Sequence, residues 1–358
     1  MCVVGHGLGG KLRGTANRTW GDVTQMSKRA MLRLGVVPPP FRVSIDITDR
    51  CNFQCPTCSK WHHPPSPEEL SLDQWQFVLD RLRGVPLLRE IAIGGGEPFM
   101  RADALQVVAL AEERGFRTHL ISNGWLVDEG LLREAEDIGL DTMMISLNSL
   151  AASVHDGSRG KMGSHDRIMG LVETWRAGDR RTKLCLSTVV LESNCGELAS
   201  LARFVADKGL TGIMFQVLLP TEVHYCFAAE PSMPQLDAAW HEHDPLWVRS
   251  PDTLRCQVSE LLVLQGQGYP IFNPPSQLRR FVTYYEDPRR AAATPCLGTL
   301  SRLHIDPVGQ MRLCYGYPPI GSILHEDPRQ VWRGEQARQI RRASRECARP
   351  CRMLNCNL

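Results

Sequence analysis

Thirteen cysteines in a chain of 358 residues are the first chemistry the sequence offers. Eight of them form two groups: Cys51, Cys55 and Cys58, then Cys296, Cys314, Cys347, Cys351 and Cys356. Cys2, Cys185, Cys195, Cys226 and Cys256 are scattered. The first group reads C-x3-C-x2-C. Three thiolates so close in sequence can hold three corners of a cubic [4Fe–4S] cluster, which normally takes four cysteines. A missing fourth leaves one iron open, much as a catalytic zinc keeps an open position. An open iron can bind a cofactor and pass it an electron. The competing reading is a structural zinc site, with His62 or His63 as a nearby fourth ligand.

These thiols need a frame, and the patterning supplies one. Six β-branched or apolar runs read as strands: Arg42–Thr48, Glu90–Ile93, Arg117–Ser122, Thr142–Asn148, Lys183–Val190 and Gly212–Leu218. Amphipathic segments near 72–84, 102–114, 128–138, 165–178 and 196–208 lie between them. Ser71 with Gln74 fits a capping box before the first. Strands alternating with helices imply a parallel α/β sheet. Six units are two short of a closed (β/α)8 barrel, so the expected fold is an open, partial (β/α)6 TIM-like barrel with its site at the C-terminal strand ends. Residues 1–40 form an N-terminal extension, 41–220 the barrel, 221–290 a helical connector and 291–358 a small cysteine-bearing domain. The last carries a hairpin, Leu300–Asp306 and Gln310–Cys314.

The charge balance is 41 basic to 39 acidic residues, which points away from a basic nucleic-acid binder. No run of about 18 apolar residues is present, so no membrane span is expected. The first residues lack the pattern of a signal peptide, which predicts a cytoplasmic protein. In that compartment clustered cysteines point to metal or redox chemistry rather than disulfides.

The first cysteine group resembles the hallmark of the radical S-adenosylmethionine (radical SAM) superfamily, C-x3-C-x-Φ-C on the loop after strand one of a six-stranded partial barrel. Cys51, Cys55 and Cys58 match; the Φ position, usually aromatic, is Thr57. Gly94, Gly95, Gly96, Glu97 and Pro98 stand where the family's GGEP motif belongs, with the glycines opening the backbone to close approach by a ligand. The resemblance implies that Glu97 pairs with the cofactor's ammonium. It also places polar strand ends on the ribose and carboxylate: Ser122 and Asn123, Ser146 and Asn148, Ser187 and Thr188. Asn123 and Gly124 fit a simple turn equally well.

The second group, with Gly309 between Cys296 and Cys314, resembles the SPASM and twitch extensions of radical SAM enzymes. Five thiolates complete one four-cysteine site with one left over. The expectation is a twitch/SPASM-like extension holding one auxiliary [4Fe–4S] cluster, with one of Cys347, Cys351 and Cys356 spare. A zinc ribbon is the competing reading.

The resemblance implies that a reduced cluster cleaves S-adenosylmethionine to a 5′-deoxyadenosyl radical, which abstracts a substrate hydrogen. The electron comes from a flavodoxin- or ferredoxin-type donor, and the auxiliary cluster accepts one back. The net reaction is then a dehydrogenation. Residues 1–40 are short for a leader-binding domain, which tilts the expected substrate towards a sugar-like or aminocyclitol small molecule in natural-product biosynthesis rather than a ribosomally made peptide. Radical epimerisation is the alternative and needs a hydrogen donor, for which Cys226 is the candidate. A zinc-stapled binding protein is the non-enzyme alternative. Cys185, Cys195, Cys256, Met143 and Met144 read as core, and His155, His165 and His224 as surface or near-site residues.

Overall fold

The structure is a computed structural model and describes residues 37–62, 64–178, 180–220, 239–291 and 298–347. Cys226, His224, Cys296, Cys351 and Cys356, with the roles expected of them, therefore lie outside the described residues, as does His63.

Six β–α units build the first part of the chain: β1 (Arg42–Thr48), α1 (Leu72–Arg83), β2 (Glu90–Gly95), α2 (Ala104–Glu113), β3 (Arg117–Ser122), α3 (Glu129–Asp137), β4 (Thr142–Ser146), α4 (Ala152–Arg159), α5 (Ser164–Ala177), β5 (Lys183–Val190), α6 (Leu198–Asp207) and β6 (Gly212–Val217). The strands run parallel in sequence order, β1 beside β2 through to β6. At least half the residues of each strand are buried, as expected of parallel strands covered by helices. Helix α1 shows why the helices form where they do. Its capping box is complete, with Gln74 N donating to Ser71 Oγ and Ser71 N to Gln74 Oε1. One apolar face, Trp75, Val78, Leu79 and Leu82, is buried against the sheet side of the core.

The connector contributes α7 (Trp240–His243), α8 (Pro251–Gly266), α9 (Pro275–Glu286) and α10 (Pro288–Ala291). The C-terminal part adds α11 (Gly298–Ser301), β7 (Arg302–Ile305), β8 (Gln310–Arg312), β9 (Gly321–Ser322), α12 (Pro328–Arg333) and α13 (Glu335–Arg345). The barrel stays open, since β1 pairs with β7 and not with β6. Strand β7 runs parallel to β1, with Ser44 opposite His304, so the C-terminal hairpin extends the barrel sheet rather than standing apart from it.

Two sequence expectations need correction. Strand β4 stops at Ser146, and residues 152–159 form a helix the patterning missed. Cys256 is exposed, on the face of α8 away from the buried Leu254, Val258 and Leu261. Cys185, Cys195 and Met143 are buried.

Candidate active site

A cavity of about 320 Å³ opens at the C-terminal ends of the strands, at the small end of the range for ligand sites. Cys51, Cys55 and Cys58 share its wall with Thr57, Gly94, Gly95 and Gly96. The loop that carries the thiols is fastened on several sides. Thr48 Oγ1 and Asp49 N both donate to Glu69 Oε1, at 2.7 and 2.8 Å. Trp61 Nε1 donates to the Cys55 carbonyl at 3.0 Å. Lys60, whose side chain is 2% exposed, bridges Asp46 and Asp49 at 2.9 Å each. Asn123 Nδ2 reaches across from β3 to Asn52 Oδ1 at 2.7 Å.

The glycine run has a different physical reason from the one its motif suggests. A Cβ on Gly95 would stand 2.2 Å from the Thr48 carbonyl, and one on Gly96 2.1 Å from that of Arg50. Gly95 also has φ 127°. Both glycines let β2 lie against the root of the cysteine loop, where Gly96 N donates to Thr48 O and Glu97 N to Arg50 O, at 2.8 Å each. Only Gly94 has open space at its Cβ position, with nothing nearer than 4.0 Å.

Glu97 also serves the contact between strands. It is fully buried and does not line the cavity. Its carboxylate accepts from Ser122 Oγ at 2.8 Å, Asn123 N at 2.7 Å and Phe99 N at 3.3 Å, which ties the end of β3 to that of β2. Burial nevertheless pushes its pKa up. Asn148 and Thr188 are likewise off the wall. Asn148 Nδ2 donates to Ser158 Oγ and its Oδ1 accepts from Val189 N, while Thr188 Oγ1 donates to the Leu147 carbonyl. Ser122, Asn123 and Ser146 do line the cavity, and Asn123 Oδ1 also makes the predicted turn by accepting from Trp125 N. His155 is no surface residue; it is fully buried and its Nδ1 accepts from Asn148 N.

Arg159 is the residue the sequence reading missed. It ends α4, lines the cavity and sits over the Phe53 ring at 5.7 Å. Its Nε is buried and makes no hydrogen bond. Gly160 fixes its place, since a Cβ there would lie 2.3 Å from the Gln54 carbonyl. A guanidinium on a ligand wall with no carboxylate bonded to it among the described residues suits an anionic group. No signal in AASVHDGSR pointed to a helix.

Residues 45–205 match the family described as the radical SAM superfamily. These residues belong to it. Residues 296–357 match the SPASM iron-sulfur cluster-binding domain, a span that includes all five late cysteines. Among relatives, the chain is 27% identical over 181 residues to a tungsten-containing aldehyde ferredoxin oxidoreductase cofactor-modifying protein of Pyrococcus furiosus, covering 49% of this chain and 51% of that protein. It is 30% identical over 164 residues to the PqqA peptide cyclase of Rhizobium meliloti, covering 45% and 42%. The chain thus spans about half the length of the curated relatives it matches. Among solved structures, Streptococcus suis SuiB bound to S-adenosylmethionine superposes with a TM-score of 0.65 at 13% identity, over 89% of this chain and 72% of that one. That likeness is one of fold.

The radical SAM cofactors fit the donors present. Burial pushes the Cys51 thiol up to about 11 and raises Cys58 as well, so these thiols stay protonated until a cation compensates them. A single zinc bonded at about 2.3 Å needs donors gathered round one point. Among the described residues no three Cys, His, Asp or Glu are so gathered. His62 is exposed and off the wall, and among the described residues the one imidazole on it, His304, stands level with Ser44. The radical SAM family's [4Fe–4S] cluster and S-adenosylmethionine, with a SPASM cluster site, replace the zinc readings.

Proposed function

We propose that this radical SAM enzyme oxidises a residue of a ribosomally made peptide by two electrons. The observation that carries the chemistry is the joint placement of three thiols, the Gly94 backbone and Arg159 on one cavity wall. When bound, the open-iron cluster and S-adenosylmethionine supply reductive sulfonium cleavage and abstraction of a substrate hydrogen, and an auxiliary cluster supplies an acceptor for the remaining electron. Cys51, Cys55 and Cys58 hold the first cluster, and Arg159 binds the cofactor's carboxylate. Ser122 ties β3 to the end of β2 and Asn123 ties it to the cysteine loop, while Phe53 and Trp125, edge to face at 6.0 Å, shield the loop from water. Cys314, with Cys296 and the late cysteines, serves one auxiliary cluster. The first electron comes from a flavodoxin- or ferredoxin-type donor.

The peptide reading draws support from relatives named as peptide cyclases and from SuiB, whose structure is known with a precursor peptide. A small sugar-like or aminocyclitol substrate is the second reading, favoured by the modest cavity and by uncharged Ser44, Ser146 and Gln216 on its wall. The test is anaerobic reconstitution, reduction with S-adenosylmethionine, and two deuterated panels, one of peptides and one of aminocyclitols. Deuterium passing from a peptide to 5′-deoxyadenosine is the expected result. Transfer only from an aminocyclitol establishes the second reading, and no 5′-deoxyadenosine at all refutes both.

A further inference from the structure

The part of the cavity wall beside β1 is built by the C-terminal hairpin. His304 lies on β7, opposite Ser44 of β1, which in turn lies opposite Ala92 of β2; all three line the cavity. His304 is 8% exposed, and its Nδ1 is buried with no hydrogen-bond partner among the described residues. The Tyr315 ring packs on it with centroids 4.6 Å apart, and Tyr315 is also on the wall. The charged groups nearby are engaged with one another. Asp46 is held by Lys60 at 2.9 Å and approached by the Tyr315 hydroxyl at 3.4 Å.

A buried polar atom without a partner is uncommon and needs an explanation. The His304 ring lines the cavity, where a ligand group can meet it. Which group follows from the surroundings. Burial, with Arg302 nearby, holds the His304 imidazole far below its usual pKa, at about 3, so it is neutral and offers one donor and one acceptor. The side chains of Ser44, Ser146 and Gln216, also on the wall, are uncharged. An amide or hydroxyl here would meet matched partners in the neutral imidazole and the uncharged side chains beside it.

We propose that His304 is a substrate-binding and specificity residue, whose imidazole hydrogen-bonds an uncharged amide or hydroxyl of the substrate from the hairpin side of the barrel. This makes the C-terminal domain one wall of the substrate chamber. The inference rests on the reading of this cavity as the radical SAM active site.

The test uses the reconstituted full chain with two arms. In the first, His304→Leu and His304→Gln are compared with the wild type by thermal unfolding. A ligand-facing imidazole predicts Tm unchanged or raised in both. A fall of more than about 4 °C in both, roughly 1–2 kcal/mol for a domain of this size, shows a structural partner and overturns the proposal. In the second, the protein is labelled with 15N-histidine and titrated with N-methylacetamide and with acetate, the His304 signal being assigned as the one missing in His304→Gln. A shift with N-methylacetamide and none with acetate is expected. The reverse preference, or no response to either, overturns it. Wild-type formation of 5′-deoxyadenosine is measured separately. If it fails while N-methylacetamide still moves the His304 signal, the radical reading falls and the neutral-group site stands.

Discussion

Gly96→Ala separates two explanations of the glycine run. If the glycines serve only close approach by a ligand, alanine there weakens cofactor binding and leaves the fold alone. The geometry says otherwise. The new Cβ would stand 2.1 Å from the Arg50 carbonyl oxygen and 2.8 Å from that of Asp49, both backbone atoms. Ordinary contact requires the two segments to part by about 1 Å. That movement strains the hydrogen bonds from Gly96 N to Thr48 O and Glu97 N to Arg50 O, each worth roughly 1 kcal/mol net. Overpacking adds about 1–3 kcal/mol, for a sum of roughly 3–5 kcal/mol, a large share of a domain's stability. Arg50 adjoins Cys51, so the displacement reaches the first thiol. The expected outcome is a Tm lower by roughly 5–15 °C and loss of about four irons per chain after anaerobic reconstitution. Gly94→Ala is the control, since its Cβ would meet nothing nearer than 4.0 Å. It should retain iron and Tm even if S-adenosylmethionine cleavage slows. Wild-type iron and Tm in Gly96→Ala, or equal iron loss in Gly94→Ala, would refute the reasoning.

Three further outcomes follow from the same geometry. Arg159→Met should keep its iron and lose ten- to a hundredfold in S-adenosylmethionine affinity, as expected for about 1.5–3 kcal/mol from a hydrogen bond to a charged group; equilibrium binding to the reconstituted protein checks it, and Arg159→Lys should recover part of the loss. Lys60→Met strands two carboxylates, Asp46 and Asp49, beside a cavity wall; breaking such a buried pair costs about 3–5 kcal/mol, readable as a lower denaturant midpoint. Glu90, at the opposite end of the barrel, would be raised by burial, but His119 at 3.6 Å and the Arg42 guanidinium outweigh this and hold it down at about 2. A carboxyl depressed on folding stabilises above its unfolded pKa, near 4.3, and loses that contribution as pH falls towards 2. Acid unfolding of Glu90→Gln should therefore lack about 2–3 kcal/mol of pH dependence between those values, and a curve parallel to the wild type would count against the assignment.

The strands were legible because each is a short apolar run bounded by turn residues, and β1, β3 and β5 match their expected bounds. The motif residues were legible by spacing, but spacing does not say which way a side chain turns. Glu97, Asn148 and Thr188 sit at the expected strand ends and spend their polar atoms on neighbouring strands. Helix α4 was not legible, since AASVHDGSR has no apolar period. Tertiary contact makes it: Gly160 caps it in the left-handed region against the Gln54 backbone, and Asp156 accepts from Gly163 N, Ser164 Oγ and His165 N to join it to α5. Arg159 was hidden with it. The exposure of Cys256, by contrast, was readable, because Leu254, Val258 and Leu261 already define the buried face.

His304 could not be found from sequence for a deeper reason. Its place depends on β7 pairing with β1 across more than half the chain. That pairing answers a requirement of the open barrel. With β6 unable to reach β1, the strand next to the cysteine loop would be an unpaired edge, a liability that proteins cover. The hairpin covers it in parallel register, and the same register carries His304 to the level of Ser44 and brings Tyr315, one residue after Cys314, onto the cavity wall. The C-terminal domain therefore closes the edge of the barrel and lines its interior with one strand. A change that weakens the β1–β7 pairing should disturb the stability of the cysteine loop and the shape of the substrate chamber together, so the two cannot be tuned independently through this seam.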